Sequence, residues 1–306
     1  MTATQTVSYE ASIPRTTLHR IIVDGVEVFY RAAGPVDAPV ILLLHGFPTS
    51  SHMFRELIPR LATRYRVIAP DLPGFGFTTI LEERKYIYSF DSLATTMLAF
   101  VNALGLDSYA LYVFDYGAPV GFRLAVARPD SVTAIISQNG NAYDEGLSHA
   151  WDEIQRYWDD PSDQNREVLR KTLLTFDGTR MQYITGVQDP EAIAPESYIL
   201  DWALLQRPGN QDIQLDFLFN YSSNIALYPV FQKYFREVNP PLLAIWGRND
   251  PFFKPAGAEA FLNDNPNAEV VLLNTGHFAL ETHVDEIAST IQRFLDPVQP
   301  TRRLKI

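Results

Sequence analysis

Four reactive side chains stand where the chain is set to change direction. Asp115 follows the apolar run Leu111 to Phe114 and precedes Tyr116-Gly117-Ala-Pro119. The run reads as a short buried strand, and Pro119 suits the first turn of a helix. A carboxylate thus sits at the apex of a strand–turn–helix unit. Its reference pKa of about 3.9 leaves it ionised at neutral pH, so it can displace a leaving group from an sp³ carbon without a base to activate it. An Asp before a helix also serves simply as an N-cap, so its company decides its meaning. Asp250 follows Leu242 to Trp246 in Gly247-Arg-Asn-Asp250-Pro, which alone is a turn signal. His277 follows Val270 to Leu273 in Asn274-Thr-Gly-His277-Phe, with His283 a nearby rival. His45-Gly46-Phe47-Pro48 follows Val40 to Leu44.

The intervening pattern alternates strand and helix. Residues 20–24 and 26–31 flank Asp24-Gly25, a hairpin signal. Val40 to Leu44 is continuously apolar, as in a strand covered on both faces. Residues 53–64 place Met53, Phe54, Leu57, Ile58 and Leu61 at helical spacing, and Tyr65 to Ala69 is a strand. Asp71-Leu-Pro-Gly-Phe-Gly76 is a loop rich in breakers. Helices are expected over 90–104 and 118–128, and a strand over Val132 to Ser137. From Tyr143 to Arg236 the periodicity is helical, broken at Asp160-Pro161, Asp189-Pro190, Pro195 and Pro208-Gly209. The alternation then resumes, with a helix near 257–263 and a last one from Val284 to Leu295. Such alternation implies an α/β fold with a mostly parallel sheet. The helical stretch reads as a lid, with the core in 1–142 and 238–306 and the cap in 143–237. Ligands of open α/β sheets bind beyond the carboxyl ends of the strands, where all four motifs fall.

Composition narrows the partners. The 306 residues are 46% hydrophobic and 20% charged, so a large core is within reach. A net charge of −11 argues against nucleic acid or anionic membranes as partners. The absence of cysteine removes thiol nucleophiles, disulfides and thiolate metal sites. Met1 to Arg15 has neither a basic nor an apolar signal region, and no apolar stretch is long enough for a membrane span. Cytoplasm is the default expectation, as monomer or homodimer. The tail from Pro297 to Ile306 reads as frayed.

Together His45-Gly-Phe-Pro-Thr-Ser-Ser, Val67-Ile-Ala-Pro-Asp-Leu-Pro-Gly-Phe-Gly76, the Asp115 turn, Gly247-x-x-Asp250 and Gly276-His277-Phe resemble the α/β-hydrolase superfamily. The resemblance spans roughly residues 20–295, and Asp at the nucleophile position matches the branch of epoxide hydrolases and haloalkane dehalogenases. It implies an α/β-hydrolase fold with a helical cap. It implies Asp115 as nucleophile, His277 as base, Asp250 as its acid partner, and the amides of Phe47 and Tyr116 as oxyanion hole. Some relatives take the acid from the strand after the nucleophile's helix. Here that strand ends in Ser137-Gln-Asn139-Gly-Asn141, without a carboxylate, which favours Asp250. His45, Pro48 and Trp158 are assigned to a pocket for a small apolar substrate. No metal or organic cofactor is implied.

The leaving group divides the branch. Epoxide opening makes an alkoxide that needs a proton, given in that family by two lid tyrosines. A halide needs only N–H donors, often Trp indoles or an Asn amide. Phe47 resembles epoxide hydrolases and fluoroacetate dehalogenases, and Tyr116 replaces the Trp usual after the nucleophile. Val113 and Thr49-Ser50-Ser51 lean toward dehalogenases. Tyr221, in Phe219-Asn-Tyr221-Ser, falls near the family's lid tyrosine, with Tyr183 or Tyr157 as a second. Epoxide hydrolysis leads, followed by carbon–halogen hydrolysis and then another Asp-nucleophile reaction. A ligand-binding module with the same fold is the alternative of another kind.

Overall fold

A computed structural model describes residues 14–298. The readings of Met1 to Arg15 and of the tail from Pro297 lie outside these residues, apart from two positions each. The hairpin forms as expected, β1 (Thr17–Val23) against β2 (Val26–Ala33), antiparallel in register Val23 to Val26. Asp24 and Gly25 take φ of 50° and 68°, the left-handed pair that a tight hairpin turn requires.

The remaining strands are β3 (Val40–Leu44), β4 (Arg66–Pro70), β5 (Thr79–Ile80), β6 (Tyr109–Phe114), β7 (Val132–Gln138), β8 (Leu242–Gly247) and β9 (Glu269–Leu273). They form a sheet of order β1-β2-β4-β3-β6-β7-β8-β9, with the short β5 paired to β2. From β4 to β9 every pairing is parallel. The carboxyl ends align: Leu44 pairs with Val113, Val113 with Ser137, and Gly247 with Leu273. Chain segments far apart in sequence are thereby delivered to one edge.

The central strands are buried on both faces, which explains their unbroken apolar runs. In β6, Tyr109, Leu111 and Val113 join one core cluster, while Ala110, Tyr112 and Phe114 join the other. The first cluster is closed by α2 (Phe90–Ala103), α3 (Gly117–Ala127) and α10 (Pro255–Asp264). The second is closed by α1 (Leu57–Leu61) and α11 (Leu280–Leu295).

Between β7 and β8 lie α4 (Asp152–Asp159), α5 (Asp163–Thr172), α6 (Phe176–Ile184), α7 (Pro195–Leu205), α8 (Asn210–Asn220) and α9 (Ser222–Val238). Among the described residues no strand interrupts this series. Two helices differ from expectation. The stretch 53–64 instead holds the end of a 3₁₀ turn, Ser51–Phe54, which Ser50 caps at its start, and then the five-residue α1. The last helix begins at Leu280 rather than Val284, kinked at His283, whose φ is −126°.

Candidate active site

The carboxylate of Asp115 stands on the bend between β6 and α3. Its φ is 47°, a left-handed conformation that β-carbon substitution disfavours and that the flanking strand and helix impose. Close approach makes the bend possible. A Cβ on Gly117 would lie 2.3 Å from the Leu44 carbonyl oxygen, and one on Gly46 would lie 2.2 Å from Asp115 Oδ1. Glycine at 46 lets the loop after β3 pass directly under the carboxylate. The Phe47 amide then donates to Asp115 Oδ1 at 2.6 Å. Burial raises the Asp115 pKa to about 6; His277 and the amides of Phe47 and Tyr116 pull it down, and Asp250 pushes it up. The sequence reading assumed an unperturbed carboxylate; desolvation explains the difference.

His277 lies on the loop after β9, fully enclosed, with its ring 4.6 Å from that of Phe114. Nδ1 is 2.7 Å from Asp250 Oδ2, and Nε2 is 3.9 Å from Asp115 Oδ2. The carboxylate on Nδ1 fixes the tautomer that leaves Nε2 as the acceptor. Burial lowers the His277 pKa, but the charge and hydrogen bond of Asp250 and the charge of Asp115 outweigh it, and the net shift is upward. Asp250 is itself saturated. Its Oδ1 accepts from the amides of Phe252 at 2.7 Å and Phe253 at 3.1 Å, and its Oδ2 accepts from Asn139 Nδ2 at 2.6 Å.

Asn139 is the residue that sequence reasoning passed over. The end of β7 carries no carboxylate, yet its Asn donates to Asp250. Its φ of 48° suits Asn better than most side chains, and its Oδ1 accepts from the Gly247 amide at 3.0 Å and from Gln138 Nε2 at 2.6 Å. Gln138 Nε2 also donates to the His277 carbonyl at 3.0 Å. The available signal was an Asn ending the strand beside β8, where a polar side chain reaches the neighbouring strand's terminus.

Tyr221 joins α8 to α9 and is fully buried. Its ring meets Trp151 at 4.4 Å, Phe90 at 5.5 Å, Tyr116 at 5.6 Å and Trp158 at 6.3 Å. Burial holds its hydroxyl well above the ordinary phenol range, with Tyr228, Asp115 and Tyr116 adding to the shift. The other expected site residues are placed differently. The Tyr157 hydroxyl accepts from Arg166 at 2.9 Å, and the Tyr183 hydroxyl donates to Asp201. Both hydroxyls are bonded within the helical layer, where Tyr157 accepts and keeps its own proton and Tyr183 gives its proton to Asp201. His45 is enclosed and accepts the Leu72 amide at 2.9 Å through Nε2. It braces the loop after β3 against the loop after β4, and burial lowers its pKa. Pro48 is buried beside Phe47, across a cis peptide. Trp158 lines a cleft of about 380 Å³ with Leu147, Ile225 and Lys254, and its indole donates to the Leu218 carbonyl at 2.8 Å. His283 bonds Thr282 at 2.8 Å at the kink of α11. Among the described residues no cluster of His, Asp and Glu has the arrangement to hold a metal.

A turn-borne carboxylate, an amide on one oxygen and a buried Asp–His pair facing the other fit a family of enzymes. The family model for the α/β-hydrolase fold matches residues 39–284, and the chain belongs to that family. An uncharacterized hydrolase of Saccharomyces cerevisiae is 51% identical over 279 residues, 89% of this chain and 95% of the relative. Haloalkane dehalogenase 2 of Mycobacterium bovis is 31% identical over 271 residues, 84% and 88% of the two chains. Among solved structures, the haloalkane dehalogenase DbeA from Bradyrhizobium elkani superposes with a TM-score of 0.76 at 22% identity, covering 93% of this chain and 99% of that one. The epoxide hydrolase CorEH superposes with a TM-score of 0.74 at 22% identity, covering 92% and 99%. These two likenesses concern the fold alone. The protein is a hydrolase by family and relatives, and no helix among the described residues is long and apolar enough to cross a membrane.

Proposed function

We propose that this hydrolase opens epoxides through an alkyl-enzyme ester on Asp115. Asp115 Oδ2 attacks a ring carbon, the C–O bond breaks, and the alkoxide takes a proton from Tyr221. His277 then removes a proton from water, which adds to the ester carbonyl. The resulting oxyanion is on Asp115 Oδ1, where the Phe47 amide already donates at 2.6 Å. Losing one such donor costs roughly 3 kcal/mol of barrier. Asp250 balances the imidazolium. The tetrahedral species collapses with cleavage of the bond between its carbon and the diol oxygen, and that oxygen takes the remaining proton of the added water. The proton on His277 returns through solvent to the Tyr221 phenolate, so Asp115 is regenerated and epoxide and water are the whole input. In this reading residues 143–237 act as a cap that encloses a small apolar substrate.

The observation that carries epoxide over halide is the state of the indoles. Of the four indoles, those of Trp151, Trp158 and Trp246 donate to the carbonyls of Phe252, Leu218 and Phe253 at 3.1, 2.8 and 2.8 Å, and Trp202 packs on Phe176 within the helical layer. An indole already bonded to a carbonyl is a poor halide cradle, whereas the buried Tyr221 hydroxyl, bonded to Tyr228, feels the Asp115 charge and stays protonated. Carbon–halogen hydrolysis is the second reading, favoured by the names of the curated dehalogenase relatives. Epibromohydrin carries both leaving groups. Diol formation with bromine retained, absent in Asp115→Asn, is expected; bromide release with the ring intact would assign a dehalogenase.

A further inference from the structure

We propose that Tyr116, the residue after the nucleophile, is the second proton donor at this site, paired with Tyr221. The inference rests on the ester mechanism at Asp115. Tyr116 is 2% exposed, and its hydroxyl has no hydrogen-bond partner among the described residues. A buried hydroxyl left unpaired costs about 1–3 kcal/mol, so phenylalanine would fold better at this position unless the oxygen meets something not in the chain. Around the ring stand Phe90 at 5.0 Å, Tyr221 at 5.6 Å, Phe47 at 5.9 Å and Phe75 at 6.3 Å. Phe47 belongs to the loop whose amide binds Asp115, and Tyr221 to the helical layer. The Tyr116 ring therefore stands in the seam between them, one residue after the carboxylate.

Charge agrees with that placement. Burial lifts the Tyr116 hydroxyl well above the usual phenol range, and the Asp115 carboxylate lifts it further. Tyr221 responds to the same carboxylate and to Tyr116. Two phenols and one carboxylate thus share one dry neighbourhood. Both phenols stay protonated across the neutral range, as an acid that must donate to an alkoxide requires. When Asp115 attacks carbon, the epoxide oxygen keeps the bonding pair of the broken C–O bond and takes a proton from one phenol. The other phenol donates a hydrogen bond to the same oxygen, and solvent returns the proton to the phenolate afterwards. The Tyr183 proton is given to Asp201, and the Tyr157 hydroxyl is bonded to Arg166.

The test is a single-turnover experiment with styrene oxide, quenched in time and read by intact mass. It compares wild type, Tyr116→Phe, Tyr221→Phe and the double variant. Loss of one general acid is expected to slow ester formation in Tyr116→Phe by roughly 10²-fold, with ester hydrolysis changed less than about twofold. The split matters because the Tyr116 amide also faces the Asp115 carboxylate. A variant that merely shifted the backbone would slow hydrolysis as well, and equal slowing of both steps would overturn the proposal. So would ester formation in Tyr116→Phe at the wild-type rate. If wild type, and His277→Gln with it, forms no ester at all, the mechanism beneath the proposal falls too. Removing an unpaired hydroxyl should leave the melting temperature equal or higher; a large loss of stability would show that the oxygen serves the fold and would also overturn the donor role.

Discussion

Asp115 is held at the edge of ionisation, and that sets the acid side of the pH dependence. In the proposed mechanism the reactive form is the carboxylate. With its pKa raised to about 6 by burial, ester formation should fall as pH drops through that value. A single-turnover profile of ester formation checks this; a rate flat down to pH of about 4, near the unperturbed value, would show an unshifted carboxylate. In the proposed ester Asp115 carries no charge, and one of the influences raising the His277 pKa disappears. The imidazole is therefore a readier neutral base in the intermediate than in the free enzyme. Asn139 is the second prediction at this scale. Asn139→Ala removes a donor from Asp250 and an acceptor from Gly247. A lost hydrogen bond to a charged group is worth about 1.5–3 kcal/mol, so ester hydrolysis should slow roughly tenfold or more. Measuring both steps separately decides it, since an effect confined to ester formation would remove Asn139 from the support of Asp250. Asp115, Asp250 and His277 were legible in the sequence because each ends an apolar run. Asn139 was not, because its role is a hydrogen bond between neighbouring strands, which only the β7–β8 pairing reveals.

The elements follow from patterns that local chemistry enforces. The hairpin at Asp24-Gly25 and the doubly buried strands were legible because period and turn residues agree. The stretch 53–64 divides into a 3₁₀ turn that Ser50 caps at its start and the short α1, and the apolar spacing read there marks the buried face common to both. The two-residue β5 has too little sequence to announce itself, and its pairing with β2 is purely tertiary. Within the helical layer, the buried Asp201 of α7 holds the Tyr183 hydroxyl of α6, and burial raises its pKa to about 8. An acid protonated in the fold and ionised when unfolded loses stability for the fold as pH rises. The loss runs from the unfolded value, about 4, up to about 8, and then levels. Asp201→Asn keeps an acceptor for Tyr183 and removes the titration. Its melting temperature should accordingly decline less than that of wild type between pH of about 5 and 9. Parallel declines would show that Asp201 is ionised in the folded protein.

At the scale of the whole molecule, the sheet order brings the loop after β3 beside the turn after β6 and sets β7, β8 and β9 alongside. That single edge carries the Phe47 amide, Asp115, Asn139, Asp250 and His277. The net charge of −11 has a consequence for substrate choice. A neutral epoxide should show kcat/KM nearly constant between about 0.05 and 0.5 M salt, whereas an anionic haloacid would gain as the repulsion is screened. A strong rise with salt for the preferred substrate would favour the haloacid reading. Covalent attack by Asp115 is most directly tested by intact mass and peptide mapping of His277→Gln after exposure to styrene oxide. The expected result is a gain of one substrate molecule, stable over hours and located on the peptide containing Asp115. A folded variant that stays unmodified, while wild type turns the epoxide over, would contradict the ester mechanism.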